Sequence, residues 1–339
     1  MAFSQLVWLT ESGQMRFEAS LSVVVPVYNS EASLALLIER LEAVLTAQAL
    51  NFEAILVNDG SRDRSWEVIC QLTQRYPWVR GISLMRNYGQ HNALLCGIRA
   101  ARNEVIVTLD DDLQNPPEEI PKLLDKLAEG YDVVYGAPEE EQHGLWRDLA
   151  SRVTKIALQS AVGAQTARHA SAFRAFRSEV RGGFANFQGP FVSIDVLLTW
   201  GASHFTAVPV RHDARRLGAS QYTLRKLIRH AFNMMTGFSV LPLQVASVIG
   251  FVFTVFGFFV LVFVIGGYLL RGGSVPGFPF LASLIAMFSG VQMFALGIIG
   301  EYLARMHFRM MDRPGYAVRQ QTAAAAERGV PRLVAGMHA

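Results

Sequence analysis

Short β-branched runs alternate with stretches of helical period over the first 135 residues or so. Leu21-Ser-Val-Val-Val-Pro26, Phe52 to Val57, Val79 to Leu84, Val105 to Leu109 and Val133 to Tyr135 read as strands. Between them, Ala32 to Ala47, Ser65 to Tyr76, His91 to Ala101 and Pro117 to Glu129 carry apolar residues at helical spacing. That alternation predicts an α/β fold, a Rossmann-like, mostly parallel sheet with helices on both faces. Ligands of such folds sit beyond the carboxyl ends of the strands. Three polar clusters fall at those ends: Pro26 to Asn29, Asn58 to Ser61, and Asp110 to Asp112.

The pattern then changes. From Pro242 to Leu270, and again from Gly272 to Gly300, there is no Asp, Glu, Lys or Arg. A bilayer core of roughly 30 Å needs about 20 apolar helical residues. Transmembrane helices are therefore predicted at 242–270 and 278–300, joined by a turn too short for anything but a hairpin. Arg215, Arg216, Arg225, Lys226 and Arg229 precede the first span, and Arg305, Arg309, Arg313 and Arg319 follow the second. By the positive-inside rule both flanks are cytoplasmic. Leu224, Leu227, Ile228, Ala231, Phe232 and Met235 lie opposite Arg225, Lys226 and Arg229, which predicts an amphipathic interface helix within 222–241. The remaining divisions are an N-terminal extension (1–20) without signal-peptide character, a cytoplasmic catalytic domain (21–221) and a cytoplasmic tail (301–339). The chain of 339 residues is 51% hydrophobic and 17% charged, which fits a membrane protein. Its net charge of +3 gives no reason to expect nucleic acid. Cys70 and Cys96 read as free thiols in a reducing compartment.

The densest chemistry lies in L-D-D-D-L-Q-N-P-P-E, residues 109–118. A buried strand ending in three carboxylates puts Asp110 and Asp112 on one side and Asp111 on the other. With the Gln114 amide they form an oxygen-rich donor set suited to Mg²⁺ or Mn²⁺ shared with phosphates. Tyr28 could lie against a base, Asp59 could accept hydrogen bonds from base or ribose, and Gly60 with Ser61 could let a ligand approach the backbone. Together the clusters favour a nucleotide-diphosphate site.

The segments V-V-V-P-V-Y-N, V-N-D-G-S-R-D, R-N-Y-G-Q-H-N-A and L-D-D-D-L-Q-N-P-P-E-E-I-P resemble family 2 glycosyltransferases of the GT-A fold, in the branch acting on polyprenyl phosphates. The likeness runs from about Leu21 to Val318 and includes the hairpin. It implies a nucleotide-sugar site formed by Pro26, Tyr28, Asn29, Glu31, Asp59, Ser61, Arg86, Asn87, Gln90, Asp110 and Asp111. It implies a metal held by Asp112 and Gln114, and catalytic roles for Asp110, Asp112, Arg174 and Asp195. Arg174, Arg211, Arg215, Ser220, Tyr222 and Arg225 would bind the lipid phosphate. The sequence departs from the family at Asp111 (usually Ala), Ser30 (often Asn) and Gln221 (usually Lys).

The resemblance implies inverting, metal-dependent transfer of a sugar, UDP being the preferred carrier, to a polyprenyl (undecaprenyl) phosphate at the bacterial inner membrane. The product would serve envelope glycan or lipopolysaccharide modification, and relatives imply a homo-oligomer, a tetramer. A phosphate monoester is mostly dianionic at neutral pH and can attack without a protein base. The alternatives are a processive polysaccharide synthase or a non-catalytic scaffold or flippase subunit. Gln221-Tyr-Thr-Leu-Arg225 lacks the Gln-x-x-Arg-Trp acceptor pattern of the former, and two spans without an intramembrane charge are few for the latter.

Overall fold

The computed structural model describes residues 7–9, 15–17, 19–49, 51–138, 171–189, 192–213, 241–271, 277–311 and 314–322. Arg215, Ser220, Tyr222, Arg225 and the rest of the expected interface helix up to residue 240 lie outside the described residues. The N-terminal extension contains a small antiparallel pair, β1 (Val7–Leu9) and β2 (Met15–Phe17), which the sequence pattern did not announce.

Four parallel strands follow: β3 (Leu21–Val27), β4 (Phe52–Asn58), β5 (Val79–Leu84) and β6 (Val105–Thr108). Helices α1 (Leu34–Gln48), α2 (Ser65–Arg75) and α3 (Gln90–Ala100) connect them. A 3₁₀ turn (Pro117–Glu119) and α4 (Ile120–Ala128) lead to β7 (Val133–Pro138). Beyond the expected elements come β8 (Arg174–Arg177), α5 (Ile194–Gly201), β9 (Phe205–Val210) and β10 (Val318–Gln321). All but the first pair join one eight-stranded sheet, ordered β10-β5-β4-β3-β6-β8-β7-β9. β8 runs antiparallel between β6 and β7, and β10 antiparallel on the β5 edge.

Strand alternation builds the core. Val23 and Val25 face the helix α1 side with Leu37 and Leu41, while Val24 faces Leu94 and Ile98 of α3. A Cβ at Gly97 would come within 2.3 Å of Val24 Cγ1, so α3 lies tightly on the centre of the sheet. The chain order β3, β4, β5 proceeds to one side, then β6 returns to the other side of β3. The strand order therefore reverses between β3 and β6, and the crevice there is where doubly wound sheets bind ligands.

Helices α6 (Leu241–Arg271) and α7 (Phe278–Met310) are long and apolar enough to cross a membrane. At 1.5 Å per residue they measure roughly 46–50 Å, more than the roughly 30 Å of a bilayer core. They pack on each other, Phe253 meeting Phe288 edge to face at 6.0 Å and Gly257 lying under the Phe288 ring. Their outer faces leave Phe263 80% and Leu270 88% exposed, which water would penalise and hydrocarbon would not. β9 and β10 lie in the same sheet although both helices separate them in sequence. The segment assigned to the tail therefore completes the same sheet as β9, with β10 on its far edge.

Candidate active site

The β3–α1 loop and the aspartate turn after β6 meet across the reversal point. Asp111 accepts a hydrogen bond from Tyr28 N at 3.2 Å, and the Ser30 hydroxyl also contacts its carboxylate. On the opposite flank Gln90, at the start of α3, donates from Nε2 to Asp110 Oδ1 at 2.7 Å. Asp110 and Asp111 thus diverge, Asp110 toward α3 and Asp111 toward the Tyr28 loop. The strand itself stops at Thr108, earlier than the expected Leu109, and Asp111–Asp112 form a turn.

A cavity of about 210 Å³ opens here, lined by Pro26–Tyr28, Asp59, Asn87, Gly89–Gln90 and Asp110–Asp112. A larger cavity of about 560 Å³ lies elsewhere, between Gly182–Gln188 and Trp200, and no titratable side chain lines it. Chemistry concentrates in the smaller one. Burial, then Asp112 and Asp111, push the Asp110 carboxyl up to about 7, against the opposing pull of Arg174 and Gln90. Burial raises Asp111 to about 6, offset by Ser30 and Tyr28 N. Such carboxylates are held at a cost that a divalent cation would relieve. Among the described residues no group of three or more His, Cys, Asp or Glu side chains forms a complete ligand set. Asp110, Asp111 and Asp112 line the cavity together, hard oxygen donors of the type that would suit a divalent cation sharing its other ligands with phosphate and water.

The turn is tightly made. Leu113 is buried with φ of 60°, a left-handed conformation costly for a leucine. Gln114 N donates to Asp112 Oδ1 at 3.1 Å, and Gln114 O accepts from Asp213 N at 2.8 Å. Arg211, half exposed, pairs with Asp213 at 3.2 Å. The chain leaving β9 thus passes the acidic turn directly before the arginine-bearing segment that starts at residue 214.

Asp59 is 3% exposed and accepts from Tyr88 N at 2.7 Å and Gly89 N at 2.8 Å. Burial raises its pKa, and those two amides counter the shift. It holds the β5–α3 loop, Arg86 to Gly89, over the cleft, where the Arg86 guanidinium lies 4.8 Å from the Tyr88 ring. Gly60 permits this. Its φ is +66°, and a Cβ there would stand 2.5 Å from Arg86 C and 2.6 Å from Asn87 N. Gly60→Ala should cost about 1–2 kcal/mol from the left-handed backbone alone and displace the loop. A chemical-denaturation midpoint and the donor KM measure both effects, and an unchanged KM would show that the loop tolerates the shift.

Asn29, Glu31 and Ser61, expected at the nucleotide, join two neighbouring loops here. Ser61 Oγ accepts from Asn29 N at 3.0 Å, Asn29 Oδ1 accepts from Arg62 N at 2.8 Å, and Glu31 Oε2 accepts from Arg64 N at 2.9 Å. Asp63, unremarked in the sequence, accepts from Glu31 N and from Ser65. These contacts fix the loop that carries Tyr28 beside the cleft.

Arg174 is 1% exposed and donates from Nη1 to Asp195 Oδ1 at 2.6 Å. It sits opposite Thr108 and Tyr135 in the sheet, beneath Asp110, instead of on a surface open to lipid. Burial and the Asp195 carboxylate push the Tyr135 phenol well above its usual range. Asp195, with its side chain 14% exposed, is the interior ion-pair partner of Arg174. Tyr135 could not be found from the sequence, because only pairing of β7 with β8 brings it to Arg174.

Among solved structures, glucosyl-3-phosphoglycerate synthase from Mycobacterium tuberculosis, in complex with Mn²⁺, UDP-glucose and phosphoglyceric acid, is 19% identical over 65% of this chain and 79% of that chain, with a TM-score of 0.49. The family described as Glycosyl transferase family 2 matches residues 22–181. The undecaprenyl-phosphate 4-deoxy-4-formamido-L-arabinose transferase of Pseudomonas aeruginosa PAO1 is 37% identical over 302 residues, covering 88% of this chain and 89% of that protein. Its counterpart from Pectobacterium carotovorum is 36% identical over 309 residues, covering 90% and 94%. With that identity over nearly the full length, and the acidic turn set at the reversal point of the sheet, the chain belongs to glycosyltransferase family 2.

Proposed function

We propose that this glycosyltransferase moves a sugar from a nucleotide sugar, UDP being the preferred carrier, to undecaprenyl phosphate at the cytoplasmic face of the bacterial inner membrane. The observation that carries the reading is the contact of the aspartate turn with the Tyr28 loop on one side and with Asp213 on the other. Donor-type residues and Asp213, the last described residue before the arginine segment, therefore meet at one turn. Tyr28 and Asp59 would hold the base end, and Arg86, Asn87 and Gln90 the diphosphate and sugar. Asp110 and Asp112, with Gln114 nearby, would hold Mg²⁺ or Mn²⁺, whose positive charge stabilises the departing diphosphate when bound.

Arg211, Arg215, Ser220, Tyr222 and Arg225 would place the acceptor phosphate by charge-assisted hydrogen bonds. The phosphate is its own nucleophile, so attack opposite the departing diphosphate gives inversion, with positioning and electrostatics as the main catalytic contributions. Arg174 and Asp195 act from below, as positioning residues for Asp110. The names of the relatives make 4-deoxy-4-formamido-L-arabinose the first sugar to try, on the UDP carrier proposed above. The test incubates the full-length protein with undecaprenyl phosphate, Mn²⁺ and a panel of nucleotide sugars, with products read by mass spectrometry. One lipid-linked monosaccharide is the expected product. A growing polymer, or no lipid product from any donor, would overturn the reading.

A further inference from the structure

The segment that follows the membrane hairpin does more than finish the sheet. Met85 is the first residue of the loop that covers the cleft, and both its backbone groups are taken by this segment. Met85 N donates to Ala317 O at 2.9 Å, and Arg319 Nη2 donates to Met85 O at 3.0 Å. One turn into α3, Gly315 lies so close that a Cβ would stand 2.9 Å from Asn92 Oδ1. The same Asn92 donates from Nδ2 to Tyr88 O at 2.8 Å, at the far end of the loop. Tyr316 then lies along α3. Its ring packs against the core cluster that holds Cys96, the Arg99 guanidinium lies 5.9 Å from the ring centroid, and Arg99 donates to Phe187 O at 2.6 Å.

Residues 85 to 92 are therefore gripped at both ends by residues 315 to 319. Between the grips lie the two amides on Asp59 and the Gln90 amide on Asp110. We infer that residues 315–319 position the donor-binding loop, with Tyr316 as the positioning residue that fixes α3. α7 ends at Met310, only five residues before Gly315. The donor site is then complete only when the chain has returned from the membrane and laid this strap on β5 and α3. Every familiar sequence signature of the site can be intact while donor binding is lost.

This rests on the cleft being the nucleotide-sugar site, and one set of measurements separates the two. Full-length protein in lipid nanodiscs is assayed for transfer, varying donor and undecaprenyl phosphate separately. Tyr316→Ala should raise the donor KM about tenfold, while kcat at saturating donor and the acceptor KM stay within about twofold. Tyr316→Phe keeps the packing against α3 and should recover most of the donor affinity. A merely structural role would lower kcat in proportion to lost protein and leave both KM values alone. If Tyr316→Ala does not fold, Gly315→Ala answers the same question, because it pushes Asn92 off Tyr88 O. It should raise the donor KM about threefold. Wild-type protein that transfers sugar, with an unchanged donor KM in the folded variant, overturns the strap. Wild-type protein that transfers from no nucleotide sugar overturns the reading of the cleft instead.

Discussion

Asp112→Asn should lower the transfer rate by about a thousandfold or more, roughly 4 kcal/mol of transition-state stabilisation at about 1.4 kcal/mol per factor of ten. It should do so without unfolding the protein. The two effects separate because the side chain has two jobs. Its Oδ1 accepts the hydrogen bond from Gln114 N at 3.1 Å that closes the turn, and an asparagine oxygen accepts that bond equally well. Its negative charge is what a divalent cation needs, and a carboxamide supplies none. Removing one of three neighbouring carboxylates also relieves repulsion, so the metal-free variant should melt no lower than wild type. The Mn²⁺ concentration for half-maximal rate should rise at least about tenfold. Steady-state kinetics against Mn²⁺, with thermal melts in EDTA, report both jobs. Near-normal turnover would remove Asp112 from the metal site.

The alternating strand and helix pattern made β3 to β6 and α1 to α4 legible, because each is buried on a predictable face and local spacing carries that information. The rest depends on pairing over long separations. β8 is four residues with an arginine at each end, and its apolar period is too short to register. It becomes a strand because β6 and β7 both pair with it. β10 is V-R-Q-Q, exposed throughout, and reads as a polar tail; the open edge of β5 makes it a strand.

The site divides in the same way. The acidic turn was legible from residue types alone, and so was its meeting with the Tyr28 loop, since both end neighbouring strands. The loop-to-loop contacts of Asn29, Glu31 and Ser61 were not, because a polar side chain at a strand end can reach a ligand, the next loop or both. Here the exposed amides of 62 and 64 captured Asn29 and Glu31. Arg174 and Asp195 were both picked out, but neither residue type says that one will bury the other.

Arg174→Met should destabilise the protein by about 3–5 kcal/mol, the usual cost of leaving one member of a buried ion pair behind. Both side chains are largely inaccessible, at 2% and 14% exposure, so the stranded Asp195 carboxylate has little water to turn to. The double variant Arg174→Met with Asp195→Leu removes both charges and should recover most of that loss in a urea titration. It should not recover the pH response of the active site. Arg174 holds Asp110 down, against burial and its two acidic neighbours, at about 7. A carboxyl whose folded pKa lies above its unfolded value near 4 keeps its proton better when folded. Metal-free stability should therefore fall as pH rises from about 4 to about 7 and level off above that range. Without Arg174 the decline must continue to higher pH, in the single and double variants alike. Added Mn²⁺ replaces those protons, so it should stabilise wild type more at pH 8 than at pH 5.5. Melting curves across pH, with EDTA and with Mn²⁺, make the comparison. A double variant that levels off at the wild-type pH would mean the guanidinium does not act on Asp110, and that the ion pair serves only the packing of β8 against α5.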